Sequence, residues 1–305
     1  MKTLPVAITG IAPICAVGIG REDFAEGVAS GRDGRRPTER VDGDFANIPL
    51  VAECLDFAVE DYLESEKTYL DRCSELLLAA CSLAIEDAGL EDDTVRSGAC
   101  GLAVGTAFGC LDSLMNVTAR VQAKGVRFAS PMIFTHAFIN SPASLAAIEY
   151  GTGGPASVFC TGDTSSATAI QYAFDLVRHG RAQVMLAGGV DALSAPLLAA
   201  LNAGGLREER VPGEGCCLLV LEPVATAERR GGPVQAELLH VNAGRRPGSA
   251  DQWPTGNALW GHAFGAEFTL RVASSLAQAG PDEEVLATIA DESGRFAEAL
   301  LRREP

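Results

Sequence analysis

Residues 151–170 read GTGGPASVFCTGDTSSATAI, and the fold turns on how they are read. Gly151, Gly153, Gly154 and Pro155 make a turn-rich start. Ser157–Phe159 is a short β-branched and aromatic run, which predicts a strand. Thr161-Gly162-Asp163-Thr164 is a tight polar bend. Ser165 then reads as an N-cap, and apolar residues recur at Ala169, Ile170, Ala173, Phe174 and Val177, the spacing of one helix face. The stretch predicts a strand, a sharp bend and a helix N-terminus. Free N–H groups and the helix dipole suit such an elbow to a nucleophile that carries negative charge. Asp163 stands at the bend, with Cys160 three residues earlier on the strand.

Outward from the elbow, helical and strand patterns alternate. Val6–Ile11, Gly101–Val104, Val184–Gly189, Cys216–Glu222 and Val234–Asn242 read as strands. Gly18–Gly31 holds a helical stretch, Gly31–Pro37 a loop, and Leu111–Lys124, Ser141–Tyr150 and Gln171–His179 read as helix. The clearest helix is Asp71–Ala88, with Cys73, Leu76, Leu77, Ala80, Cys81, Leu83, Ala84 and Ala88 on one broad face and Gly89 as its stop. The alternation predicts an α/β protein, a mixed sheet with helices on both faces.

Composition narrows the function. The chain has 305 residues and a net charge of -16, which disfavours a nucleic-acid surface and repels an acidic partner unless a local basic patch intervenes. No apolar run reaches the ~18–20 residues of a membrane span, and the start lacks a charged region followed by a long apolar run. The nine cysteines are scattered singly apart from Cys216-Cys217; most read as reduced core residues of a cytoplasmic protein. With no Cys-x-x-Cys and no His-x-x-x-His, no metal is expected. Neither G-x-G-x-x-G nor G-x-x-x-x-G-K-[ST] occurs, and no cofactor is expected.

The elbow and its neighbours resemble the β-ketoacyl synthase family of the thiolase fold. That family carries a G-P-strand-T-A-C-x-S-G/S-x-x-A-I pattern with a nucleophilic Cys at the elbow; aligned on Gly154-Pro155, that Cys falls on Asp163. VAITGIAPICAVGIG at 6–20 resembles the family's opening strand and Gly turn, GLAVGTAFGC at 101–110 its G-x-x-x-G-S-G-x-G-G, and SPMIFTHAFIN at 130–140 its S-P-F-F segment. Ala187-Gly188-Gly189, Gly213-Glu214-Gly215 and GHAFGA at 261–266 resemble its A-G-G/A, G-E-G and G-H-x-x-G-A motifs. The ordered series spans about residues 3–270.

The resemblance implies a single thiolase-like layered domain over 1–305, with an N-terminal half at about 1–230 and a shortened C-terminal half at about 231–305. Beyond Asn242 the sequence departs from the family. Gly244–Gly256 runs almost directly into Gly261-His262; the family's H-G-T-G-T segment has no counterpart, and DESGRFA at 291–297 stands where a Gly-rich F-G-F-G-G is expected. This part looks reduced to two strands and one or two helices. A ketosynthase needs a thiolate, two His donors and an oxyanion hole. Here only Asp163 and His262 stand in those places, so no catalytic residue is expected.

The family branch lacking the elbow Cys comprises chain-length factors, which pair with a full-length ketosynthase and act on acyl groups held by a carrier protein. The resemblance implies a silent subunit of that kind. Its dimer interface would use Ser157, Val158, Phe159, Cys160 and Thr161, and its acyl tunnel Phe108, Leu111, Met115, Met132, Ile133, Phe134 and Phe138. The competing expectation makes these seven ordinary core residues. Two other functions stay open: a divergent acyltransferase, hydrolase or decarboxylase using Cys160 or Asp163 with His262, and a homodimeric acyl-binding module. For Cys160 itself, a strand residue pointing into the sheet, a core position is expected, and His262 reads as a retained structural His.

Overall fold

A computed structural model describes residues 3–63, 65–204, 210–245, 258–291 and 293–304. Most of the Gly244–Gly256 segment, from 246 on, lies outside the described residues, as does Glu292 of the DESGRFA stretch. In chain order the elements are β1 (Val6–Cys15), β2 (Gly18–Ile19), α1 (Gly20–Ser30), α2 (Arg72–Asp87), α3 (Asp92–Val95), β3 (Cys100–Gly105), α4 (Leu111–Lys124), α5 (Pro131–Phe134), α6 (Ser141–Tyr150) and β4 (Ala156–Phe159). They continue with α7 (Ser165–Arg178), β5 (Val184–Asp191), α8 (Ala195–Gly204), β6 (Gly215–Pro223), α9 (Val224–Arg230), β7 (Ala236–Arg245), α10 (Glu267–Gln278), β8 (Glu284–Ala290) and β9 (Arg295–Arg303).

The strands form one mixed sheet in the order β4-β3-β5-β6-β1-β7-β9-β8, with β2 hairpinned to β1. β3 runs parallel to both β4 and β5; the other pairings are antiparallel. β1 and β7 share only two residue pairs, Ala7 with Glu237 and Ile8 with Ala236, so the sheet is nearly divided there. Beyond β7 the described residues hold α10, β8 and β9.

Two apolar cores explain the layering. On one face of β3, β5 and β6, α2 buries Leu76, Leu77, Ala80, Cys81 and Ala84 beside Ala143 and Ala146 of α6. Asp71 caps α2, its carboxylate accepting from Cys73 N at 3.0 Å, and Gly89 takes φ +59° just beyond its end. The opposite face is covered by α7 and α10, whose Ala169, Ile170, Phe268 and Leu270 are buried together with Leu238 of β7, Ile289 of β8 and Leu301 of β9. The elbow helix therefore lies between the first five strands and the last three. Strands covered on both faces are apolar along most of their length, and every residue of β1, β3, β5 and β6 is buried. Truncating fully buried Leu77 to Ala would cost ~2–5 kcal/mol.

The helices read over 111–124 and 141–150 appear with those bounds. α8, which follows β5, has no counterpart in the sequence reading: it is apolar nearly all round and lacks the one-sided periodicity that marks a surface helix. β4 is an outer strand. Among the described residues it pairs with β3 alone, and Ser157, Val158 and Phe159 are half-buried.

Candidate functional site

The elbow forms as read, with two corrections. Gly162 takes φ +67°, a left-handed conformation that a glycine tolerates, and a short 3-10 turn carries Gly162–Thr164 into α7. Ser165 is the first residue of α7 and not its N-cap; that place falls to Thr164, whose side chain makes no cap bond. The Ser165 hydroxyl instead accepts from Thr161 N at 2.9 Å and has Gly162 O at 2.6 Å and Thr106 O at 3.1 Å in reach of its proton. Buried against the bend, it ties the elbow to the end of β3. A Cβ on Gly105 would overlap the Ser165–Ser166 backbone, which accounts for the glycine there.

The second correction concerns Cys160. It is exposed, whereas the other eight cysteines are buried and none is in a disulfide. The strand ends at Phe159, and among the described residues β4 is the last strand on its side of the sheet. Its Sγ lies 3.5 Å from Ala107 O. Partial burial and the nearby Asp191 carboxylate push the thiol up from its usual range, more than the Arg295 guanidinium lowers it.

Asp163 is mostly buried at the start of the elbow helix. Its Oδ1 lies 3.2 Å from Nε2 of His262 and its Oδ2 accepts from Arg210 at 3.3 Å. The His262 contact has ion-pair distance without aligned hydrogen-bond geometry. Burial opposes ionisation of Asp163, but His262 and Arg210 together outweigh it and hold the carboxyl below its usual range. His262 is fixed through its backbone: its N donates to Val211 O at 2.7 Å and its O accepts from Gly213 N at 2.9 Å. Its other ring nitrogen stands 4.0 Å from Glu267, a buried carboxylate that also accepts from Trp260 Nε1, Ala263 N and Arg271 Nε. The arrangement holds one ionised carboxylate still; it leaves Asp163 a weak base and a weak nucleophile.

The stretch read as standing in place of a Gly-rich loop packs on the elbow. Arg295, opening β9, donates to Thr161 O at 3.1 Å, and its guanidinium would stand 3.2 Å from a Cβ on Gly162. Asp291 braces that turn by accepting from Ser293 N and Arg295 N.

Asp191, at the end of β5, is the residue that sequence reasoning missed. It is fully buried and accepts four hydrogen bonds: from Thr106 Oγ1 at 2.7 Å, Ala107 N at 2.7 Å, Phe108 N at 2.9 Å and Gly265 N at 2.7 Å. It thus joins the loop after β3 to the turn after His262. Burial raises its carboxyl to about 6 against the pull of these donors. The available signal was a lone acid closing an otherwise apolar strand, two residues past Gly189.

None of the seven expected tunnel residues is buried. Phe108, Met115, Met132, Phe134 and Phe138 are exposed, and Leu111 and Ile133 are partly covered. Phe108 meets Phe264 edge to face at 5.1 Å, and Phe264 meets the His262 ring at 4.9 Å, so Phe108 is joined to the elbow through aromatic contacts. Phe134 and Phe138 contact each other at 4.7 Å. Leu111 lines a cavity of about 350 Å³ with Arg40, Arg72 and Ser194, and Ile133 one of about 470 Å³ with Tyr69 and Arg120. Among the described residues no cluster of His, Cys, Asp or Glu is arranged to hold a metal, and no helix is long and apolar enough to cross a membrane.

The fold is a layered, thiolase-like α/β fold with a strand–bend–helix elbow between its two strand groups. The β-ketoacyl synthase N-terminal domain family matches residues 3–227, and the chain belongs to the β-ketoacyl synthase family. It is 29% identical over 254 residues to 3-oxoacyl-[acyl-carrier-protein] synthase 2 of Synechocystis sp., covering 77% of this chain and 61% of that protein. It is 30% identical over 260 residues to the tetracenomycin polyketide synthase ketoacyl synthase alpha subunit of Streptomyces glaucescens, again covering 61% of that protein and 76% of this chain. The chain thus spans about 61% of the length of these curated relatives. Among solved structures, the ishigamide ketosynthase/chain length factor superposes with a TM-score of 0.87 at 18% identity, covering 99% of this chain and 100% of the other.

Proposed function

We propose that this chain is a catalytically silent, ketosynthase-like chain-length factor. In this reading it pairs with a full-length β-ketoacyl synthase as a heterodimer and helps to wall the acyl tunnel in type II polyketide, polyene or fatty-acid-like biosynthesis. The observation that carries it is Asp163: the elbow is kept, with its left-handed glycine, its Ser165 lock and its helix, but the residue at its tip is a carboxylate engaged by His262 and Arg210. A carboxylate is a poor acyl acceptor beside a thiolate, and the mixed anhydride it would form hydrolyses. Cys160 does not replace it, since its raised thiol holds little thiolate at neutral pH.

Pairing is supported by the place of β4 at the edge of the sheet among the described residues and by the exposed apolar residues between Phe108 and Ile148. A permanent interface of this kind buries ~2,000 Å² or more. The substrate would reach the pair on an acyl carrier protein, as the names of the relatives suggest, and a cytoplasmic setting suits an exposed free thiol. The test is condensation with acyl- and malonyl-carrier substrates by the chain alone, the partner alone and the co-expressed pair. Activity confined to preparations that contain the partner is expected. Condensation by the single chain overturns silence, and a monomer that ignores the synthase in size-exclusion chromatography overturns pairing.

The proximity of Asp163 and His262 favours one alternative, a divergent hydrolase or decarboxylase. Turnover of an acyl- or malonyl-thioester by the chain alone, lost in Asp163→Asn, would select it.

A further inference from the structure

Among the described residues the sheet ends in β4 on one side and in β8 on the other. Backbone bonds at the two ends of β8 fix its orientation: Arg303 N donates to Glu283 O at 2.9 Å, and Asp291 N donates to Arg295 O at 2.9 Å. Between them the register with β9 runs without a bulge, from Glu284 opposite Arg302 to Ala290 opposite Phe296. In an antiparallel pair, successive residues turn their N–H and C=O alternately toward and away from the neighbour. The odd-numbered residues of β8 therefore bond to β9, while Glu284, Leu286 and Thr288 direct theirs outward. The side chains alternate as well. Ala287 and Ile289 are buried in the core that α10 covers, whereas Leu286 is 58% exposed beside half-buried Leu300 on the other face. β8 holds no proline and no lysine, and its one charged residue, Glu284, accepts from Arg302 at 2.8 Å. It lacks the proline, lysine or bulge that commonly keeps a sheet edge from pairing.

We propose that the edge of β8 pairs with the same edge of a second copy of this chain, joining two sheets into one across a two-fold axis. A surface that meets its own copy must be complementary to itself. One antiparallel register satisfies this and uses every outward group of the exposed stretch: Leu286 lies opposite Leu286 of the other copy, and Glu284 of each copy lies opposite Thr288 of the other. These three residues turn their backbone groups to the same side, so each opposed pair exchanges both of its N–H···O bonds. The single charge on the strand then faces a hydroxyl and not its own copy, and the two Leu286 side chains shield each other from water. That fit of the strand to itself favours a second copy over an unrelated segment. β4 lies at the opposite end of the sheet, so this contact neither needs nor blocks the heterodimer proposed above.

The experiment is sedimentation equilibrium of the full chain, alone and with the full-length synthase, over roughly 1–100 μM. Hydrogen exchange read by mass spectrometry follows residues 284–290 over the same range. Wild type is expected to self-associate, with exchange in that segment slowing as concentration rises. Leu286→Lys sets two ammonium groups face to face at the axis and should weaken association by roughly tenfold or more. Thr288→Pro removes an outward N–H, a change that an edge strand tolerates, and should weaken it too. Thr288→Lys sets an ammonium opposite Glu284 of the other copy and should hold or strengthen association. The same residue thus acts with opposite sign at two positions of one edge. Circular dichroism checks that each variant keeps the fold. Wild type that stays monomeric throughout overturns the inference. Self-association that Leu286→Lys and Thr288→Pro leave unchanged belongs to another surface and overturns it, and so does equal weakening by the two lysines. Failure to bind the synthase overturns the heterodimer and leaves self-pairing through β8 standing.

Discussion

Asp191 grips the backbone of Phe108: the amide of Phe108 donates to its carboxylate at 2.9 Å, while the Phe108 ring stays 37% exposed. The loop that carries the expected tunnel residue is therefore fixed from beneath and free above. Four tests follow from this geometry and from the elbow.

Asp191→Asn should destabilise the protein by about 3 kcal/mol, read from denaturant unfolding. An amide has one acceptor oxygen and a donor nitrogen, and the site offers four donors. At least one backbone N–H would be left facing an NH₂ group. Unfolding midpoints equal to wild type would show that the four bonds carry no net stability.

On the proposed pairing, Phe108→Ala should leave the heterodimer intact and lengthen its products. The ring is partly exposed and leans on Phe264, so its loss costs ~1–2 kcal/mol, less than a core Phe. Removing it opens space along the loop after β3. The mass distribution of carrier-bound products is the readout; an intact heterodimer with unchanged lengths would exclude Phe108 from the tunnel wall.

The pairs at Asp163 should stabilise the protein at neutral pH and fail in acid. Its folded value lies below the ordinary 3.8, so its stabilisation is present above that pH and is lost as pH falls through the depressed value. Asp191, raised to about 6, acts in the opposite sense: its contribution is full below its ordinary value and declines as pH rises toward 6. Comparing wild type with Asp163→Asn cancels Asp191. The stability gap between the two should be constant above the ordinary carboxylate range and shrink as pH falls through the depressed value; a gap that does not change with pH in acid would show that the ionised pairs contribute nothing.

One thiol should react in the native chain. Cys160 is exposed and the other eight are buried, so mass spectrometry after alkylation should find a single adduct, formed faster as pH rises toward 9. With the synthase bound, β4 would be covered and the adduct suppressed. Equal labelling in free and paired chain would move the interface away from β4.

Much of this was legible in local sequence. The elbow showed itself because glycine, β-branched and apolar periodic residues change in a fixed order over twenty positions, and α4 and α6 took the bounds read for them. What escaped depends on contacts between distant positions. Ser165 has the chemistry of a cap, but Thr106 and Gly162 compete for its hydroxyl, and that competition is decided by how β3 meets α7. The exposure of Cys160 depends on which strand ends the sheet, and alternation along a strand says nothing about its neighbours. Asp191 and Arg295 act on residues more than seventy positions away, a relation that no window of sequence contains.

The hold of Asp191 on the loop after β3 has a consequence for how this protein can change. It reaches Ala107 and Phe108 through peptide N–H groups that every residue except proline possesses. The path of the loop is thereby separated from the identity of its side chains. Positions 107 and 108 can be exchanged by mutation, in nature or in the laboratory, while the backbone keeps its course, so the loop behaves as a replaceable cassette on a fixed mount. Proline is the forbidden letter at both positions, and a library over these two codons should lose proline first and retain wide variety otherwise.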